Sequence, residues 1–256
     1  MDRPTRGKTR PGRLGLLDQW TVHQRVLDGR KTPLVVDVGI GALPHTTLEW
    51  FKELRSHWPQ VELLGTDVDE ARVVAAQMWT RPGLTFAQAG FELQLERPAA
   101  VIRAMNVLRQ YRPAEVSRAH ALLGQSLAPG GLLLEGTCGP EGAVLCCLIL
   151  RRGARALARE ALIFGFEGTE GFAPRMFRDR LPRDIRDQGG PGFAVGQFLE
   201  RWQAVWEDTR HRDDSPAAAF RRSAVALRQS GEPMEVDLVQ DGVAVWRPTH
   251  GVPHRV

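Results

Sequence analysis

Two glycines that follow an aspartate suggest a ligand held by backbone. In Val35-Val36-Asp37-Val38-Gly39-Ile40-Gly41-Ala42-Leu43-Pro44 a β-branched run passes into Gly39 and Gly41 and then into a helical pattern. Glycines there let the main chain approach a ligand with no Cβ in the way, and the following helix presents free N–H groups to an anionic part of it. A nucleotide or nucleoside ligand is implied. The dinucleotide fingerprint G-x-G-x-x-G is not met, because Pro44 stands at its third glycine, and a nicotinamide dehydrogenase is disfavoured for that reason. A second carboxylate, Asp67, closes the next apolar run in Leu64-Gly65-Thr66-Asp67-Val68-Asp69, 28 residues after Gly39. A carboxylate can accept two O–H donors at once. The alternative is that Asp67 caps the helix that starts near Asp69.

The elements that must position these residues alternate. Leu34 to Val38 reads as a strand, 47–57 as an amphipathic helix, Val61 to Gly65 as a second strand, and Asp69 to Trp79 as a helix with Ala71, Val74, Ala75 and Met78 on one stripe. Leu84 to Ala87 and Ala99 to Met105 read as the third and fourth strands. Pro113 to Leu127 is a helix with proline in its first turn, closed by Pro129-Gly130-Gly131, and Leu132 to Thr137 is the fifth strand. This alternation predicts an α/β fold with a parallel sheet covered by helices. After Thr137 it stops: the turn 139–142 is too short for a crossover, so Ala143 to Leu150 is expected to run antiparallel. Ala161 to Phe166 is expected at an edge. Two helices follow, one carrying Val195, Phe198, Leu199, Trp202, Val205 and Trp206 and one after Ser215-Pro216, and then a closing hairpin of Met234 to Val239 and Val243 to Arg247.

Composition bounds the partners. The chain has 256 residues, 43% of them apolar and 25% charged, with 34 basic residues against 30 acidic. That is an ordinary globular balance, and the longest apolar run, Ala143 to Leu150, is far short of the ~20 residues of a membrane span. The first residues lack the apolar stretch of a secretory signal, so a cytoplasmic protein is expected. Cys138, Cys146 and Cys147 form no CxxC pair and read as buried thiols, and the seven histidines share no metal-ligand spacing, so no metal is expected. Arginines in the first 13 residues suggest a flexible basic arm. The expected organisation is that arm at 1–13, an α/β body at 14–166, and a helical and hairpin extension at 167–256.

Asp37 with Gly39 and Gly41, Asp67 after the second strand, and the Pro129-Gly130-Gly131 turn before the fifth strand together resemble the class I S-adenosylmethionine-dependent methyltransferases. The likeness spans roughly Pro33 to Thr137. The chain also resembles a set of methyltransferase-like proteins of high-GC bacteria that share four segments, here Asp37 to Pro44, Arg103 to Leu108, Glu135 to Cys138 and Arg180 to Pro182. The resemblance implies a Rossmann-like sheet, mostly parallel with antiparallel edge strands, and S-adenosylmethionine as cofactor. It implies Asp37, Gly39, Ile40, Gly41, Asp67, Val68, Gln88 and Asn106 as the cofactor-binding residues, with the glycine turn under the methionyl and adenosyl parts and Asp67 on the ribose hydroxyls. Leu43 stands where the third glycine of the family's GxGxG turn would be. Gln88 stands where an aspartate commonly bonds the adenine amino group, a role open to its side-chain carbonyl or to a backbone carbonyl. No NPPY-type tetrapeptide follows the fourth strand, so the usual signature of adenine or cytosine amino methylation is missing.

Methyl transfer is an in-line displacement at a carbon activated by a sulfonium, so a protein mainly aligns the acceptor and excludes water. Candidate helpers are Asn106 and Tyr111 after the fourth strand and Glu135 and Cys138 in the fifth. Arg103 either counters an acidic substrate or forms a structural ion pair, and His45 lies beside the glycine turn. The acceptor is a small molecule or an RNA, and Arg175 to Arg186 is either a basic flap over the pocket or a solvated amphipathic helix. A protein of this fold that holds RNA or another anion through arginine-rich surfaces, without catalysis, is the competing expectation.

Overall fold

The computed structural model describes residues 10–169, 171–190 and 192–253. Helix α1 (Gly15–His23) precedes strand β1 (Leu34–Val38), and α2 (His45–His57) leads to β2 (Glu62–Asp67). Helix α3 (Glu70–Ala76), β3 (Leu84–Gln88), β4 (Ala99–Met105), α4 (Pro113–Gln125) and β5 (Leu127–Cys138) complete the alternating part. Strands β6 (Val144–Arg152) and β7 (Leu157–Phe166), helices α5 (Ala194–Thr209) and α6 (Pro216–Gln229), and the short strands β8 (Met234–Glu235) and β9 (Val243–Trp246) follow.

All the strands join one sheet in the order β3-β2-β1-β4-β5-β6-β7-β9-β8. β1 to β5 are parallel to their neighbours, and the pairs from β5–β6 onward are antiparallel. The order 3-2-1-4-5 is that of the doubly wound α/β sheet, in which the chain reverses direction between β1 and β4 and leaves a crevice at their carboxyl ends. Helices cover both faces because both bury apolar side chains. Val35, Leu63, Val101 and Ile163 pack with Leu17, Trp20, Trp50 and Leu54 of α1 and α2. Val36, Ile102, Leu133 and Phe164 pack with Val116, Leu123, Phe198, Trp202 and Phe220 of α4, α5 and α6.

Two expectations are corrected. The stripe foreseen on α3 is turned away from the core: Val74 and Met78 are 64% and 79% exposed, and Val73 and Ala76 face inward. Asp69 fixes the phase by accepting from the N–H groups of Ala71 and Arg72 as the N-cap, and Gln77 Nε2 fixes it at the far end by donating to the Phe86 carbonyl at 3.0 Å. β7 is not an edge, because β9 returns from the end of the chain to pair with it. Among the described residues no helix is long and apolar enough to cross a membrane, and no group of three metal-ligating side chains occurs.

Residues 1–9 of the expected arm lie outside the described residues. Arg10 pairs with Glu141, Gly12 N donates to both oxygens of Glu49, and Arg13 donates to the carbonyls of Cys138 and Gly139 at 2.9 Å each. This stretch therefore crosses from the start of α2 to the end of β5.

Candidate functional site

At the end of β1 the backbone turns through Gly39 at φ 80° and Gly41 at φ 76°, the left-handed region that glycine enters without a Cβ penalty. The turn lies across the end of β2: the N–H groups of Gly39 and Ile40 both donate to the Thr66 carbonyl, at 2.7 and 3.1 Å. Gly41 N donates to Asp67 Oδ2 at 3.0 Å, and Asp69 N donates to Asp67 Oδ1 at 3.1 Å. Arg72 Nη1 stands 3.5 Å from the same carboxylate, which is 2% exposed. The N-cap of α3 is Asp69, so capping leaves Asp67 unexplained.

Asp37 is held from below. It pairs with Arg103 across the β1–β4 register, and the guanidinium fork meets it with Nε to Oδ1 and Nη2 to Oδ2, both at 2.8 Å. Thr47 Oγ1 donates to Asp37 Oδ2 at 2.7 Å; Arg103 also donates to Asp18 of α1 and to the Thr46 carbonyl, with its Cζ 4.1 Å from the centre of the Trp50 ring. Arg103 is fully buried and is thus a structural ion pair. Burial pulls its pKa down, but Asp37 and Asp18 outweigh that and raise it. Burial pushes Asp18 up to about 8, against the attraction of Arg103 and with the repulsion of Asp37, Glu49 and Glu53. Removing one partner from such a buried group costs roughly 3–5 kcal/mol, so the cluster pins α1, β1, β4 and the start of α2 to one another. The glycine turn rests on that anchor.

A narrow crevice with about 20 Å³ of free space lies at the carboxyl ends of β1 and β4. Val38, Gly39, Asp67, Val68, Ala89, Gly90, Phe91, Val107 and Tyr111 line it. Tyr111 is 3% exposed and meets Phe91 edge to face at 5.5 Å between ring centres. Gln88 is exposed at the end of β3, where its Nε2 donates to the Val68 carbonyl at 3.0 Å.

The expected site residues therefore separate into groups. Gly39, Asp67, Val68 and Tyr111 line the crevice. Ile40 and Gly41 belong to the turn beside it, Gln88 holds Val68, and Asp37 supports the turn. Asn106 is left-handed at φ 61°; its N–H donates to the Gly136 carbonyl at 2.8 Å, and its Oδ1 accepts from Cys138 N at 3.1 Å. It ties the ends of β4 and β5 together immediately before Val107. Glu135 lies elsewhere, with His120 Nε2 of α4 at 3.7 Å. Burial raises its pKa, with Asp184 adding to that and His120 and Arg159 opposing it. Burial likewise pushes the Cys138 thiol up to about 11, against the pull of Arg13 and Arg180. His45 is the first residue of α2.

Phe91, Val107 and the Ala89-Gly90 segment were missed. The signal was Gly90-Phe91, a glycine and an aromatic just past β3, at the same sheet edge as the glycine turn.

No protein-family model matches the sequence, and no curated protein is significantly similar to it. Solved structures that superpose on it include an S-adenosylmethionine dependent methyltransferase from Mesorhizobium loti, at 20% identity and TM-score 0.36, covering 47% of this chain and 53% of that one. Magnesium protoporphyrin IX methyltransferase from Synechocystis PCC 6803 superposes at 20% identity and TM-score 0.38, covering 48% of this chain and 53% of that one. The DszA carbon methyltransferase superposes at 17% identity and TM-score 0.42, covering 50% of this chain and 37% of that one. The chain thus spans about half or less of the length of these structures, and superpositions this loose leave the crevice to be judged by its own residues.

Proposed function

We propose that the chain is a class I methyltransferase that uses S-adenosylmethionine, with residues 14–166 holding the cofactor and residues 167–256 shaping the acceptor side. One observation carries this reading: Gly39, Asp67 with Val68, Ala89 to Phe91 and Tyr111, from four separate loops, line a single crevice at the reversal point of the sheet. The residues fit a nucleoside. Asp67 offers about four acceptor positions, of which Gly41, Asp69 and, at 3.5 Å, Arg72 occupy three, so a ribose hydroxyl can take the fourth and a second would have to displace the long Arg72 contact. Phe91 and Tyr111 supply apolar surface for a flat base, and Gln88, with its amide N–H on Val68, keeps its side-chain carbonyl for an exocyclic amino group.

S-adenosylmethionine bound there supplies a methyl group already activated on sulfur. The chain's own work is then positional. The Asp37–Arg103 anchor fixes the glycine turn, Asn106 sets the loop after β4 against β5, and Phe91 and Tyr111 exclude water from one wall. Asp67 is nearly closed off and the crevice has only about 20 Å³ of free space, so ligand entry requires its lining loops to part. No general base is assigned. The cytoplasmic location that goes with this reading accords with three cysteines that are all unpaired.

Calorimetric titration with S-adenosylhomocysteine is expected to give saturable binding near one site per chain, with no heat from NADH. Asp67→Ala should weaken that binding at least about tenfold, the size expected for one lost charged hydrogen-bond acceptor. Absence of heat at millimolar S-adenosylhomocysteine would overturn the reading.

A further inference from the structure

The segment after β7 packs against α5, β5 and β6 as two 3-10 turns, Pro174–Arg180 and Arg186–Gln188, seated by the buried side chains of Phe177, Leu181 and Ile185. Four of its arginines are half-buried: 178, 180, 183 and 186. Three have acceptors. Arg178 pairs with Glu200, Arg183 donates to the Tyr111 carbonyl at 3.2 Å and stands 3.6 Å from Asp187, and Arg186 donates to the Asp179 carbonyl.

Arg180 has no acceptor among the described residues, and its Nε is shut off from solvent. Its Nε and Nη2 lie 3.7 and 3.9 Å from where a Cβ on Gly139 would stand. Gly139 follows Cys138, whose N–H is held by Asn106, and Arg183 is tied to Tyr111 of the crevice wall. Residues 180–183 therefore span from the end of β5 to the loop after β4. Arg13 approaches Gly139 as well but spends its donors on the carbonyls of Cys138 and Gly139. Of the acids in the flanking segments, Glu141 pairs with Arg10 and Asp184 Oδ2 with Arg159, and neither bonds Arg180. Buried charges are ordinarily paired, because a desolvated guanidinium without an acceptor is costly. Here a partly desolvated fork is left over at the end of β5, three residues before the arginine that is tied to the crevice wall.

We propose that Arg180 holds an oxyanion, a carboxylate or a phosphate, carried by the methyl acceptor. This rests on the reading that methyl transfer takes place at the crevice, and it gives that reading a substrate class: an anionic acceptor whose charged group docks beyond β5, away from the reacting atom. The arginine-rich segment then contributes one specific fork, while its other half-buried arginines hold the segment itself in place.

The test follows the arginine Nε–H resonances of isotope-labelled protein during titration with sodium phosphate and, separately, sodium benzoate. One Nε–H signal is expected to titrate to saturation in the millimolar range. It should be absent from Arg180→Gln and retained in Arg175→Gln, which removes an exposed arginine of the same segment. Arg180→Lys keeps the charge but not the fork and should bind roughly tenfold more weakly, which guards against a folding defect in the glutamine variant. Whichever of phosphate and benzoate saturates at the lower concentration identifies the anion. Shifts equal in Arg180→Gln and the parent, or no saturable shift with either anion, would overturn the inference. S-adenosylhomocysteine affinity, measured by calorimetry on the same proteins, should be unchanged in all three variants. If that ligand binds and neither anion does, the inference alone falls. If the anion binds through Arg180 and that ligand does not, the cofactor reading falls and the anion site stands.

Discussion

Two carboxylates share one buried guanidinium in this molecule, and they are not equivalent. Asp37 takes the bidentate edge of Arg103 and a hydroxyl from Thr47, whereas Asp18 takes the remaining Nη1. One arginine can neutralise one carboxylate, so the second is favoured in its protonated form. That accords with burial pushing Asp18 up to about 8. A carboxyl that binds its proton more tightly in the folded state stabilises the fold at low pH and loses that contribution as pH rises from the ordinary carboxylate range through about 8. Asp18→Asn mimics the protonated form and removes the slope. Stability measured by urea denaturation should therefore be similar for the two proteins near pH 4, favour the asparagine variant increasingly up to about pH 8 with a slope no steeper than about 1.4 kcal/mol per pH unit, and level off above that. A difference that stays flat between those pH values would show that Asp18 is ionised throughout. The same cluster marks how far the sequence was legible at this scale. That Arg103 could be a structural ion pair was readable from an arginine inside an apolar strand. Its pairing with Asp37 was not, since it depends on the parallel register that sets Asp37 opposite Arg103.

At the scale of elements, the parallel part was readable because each of its strands is a short apolar run ended by a turn signal, and β1 and β4 occupy the expected residues. The face of α3 was not, since Gln77 and Asp69 rather than apolar side chains set its rotation. Nor was the interior place of β7, which is decided by a strand about eighty residues later. The joint between β4 and β5 shows how a loop residue can matter to both. Asn106 occupies the left-handed region at φ 61° and accepts from Cys138 N at 3.1 Å. Asparagine tolerates that conformation better than alanine, and glycine tolerates it best. Asn106→Ala should therefore destabilise the protein by about 1–3 kcal/mol, from strain and from the orphaned Cys138 N–H. Asn106→Gly, which loses only the side-chain acceptor, should cost less. Equal losses for the two variants in thermal or urea denaturation would show that backbone conformation contributes nothing at this joint.

For the whole molecule the question is whether an arginine-rich chain acts through its surface or through its crevice. The net charge is only +4, and many of the arginines pair with acids of the same chain. Arg97 pairs with Glu62, Arg151 with Glu160, Arg178 with Glu200, Arg201 with Glu232 and Arg222 with Asp214. A phosphate backbone would have to compete with each of these carboxylates, so few counterions would be released per contact. Fluorescence anisotropy with a single-stranded RNA of about 20 nucleotides should accordingly give only non-specific binding, with a Kd of about 10 µM or weaker at 150 mM salt and a shallow salt dependence. A tight complex whose affinity falls by about a thousandfold between 50 and 200 mM salt would instead mean that six or more phosphates are engaged at once. The internal pairs would then be opening on RNA, and the competing expectation of an RNA-holding protein would prevail over a crevice enzyme. The pattern of partners argues the other way: each of these five arginines is already committed to an acid of the same chain, whereas the crevice is lined by loops that meet at the reversal point of the sheet.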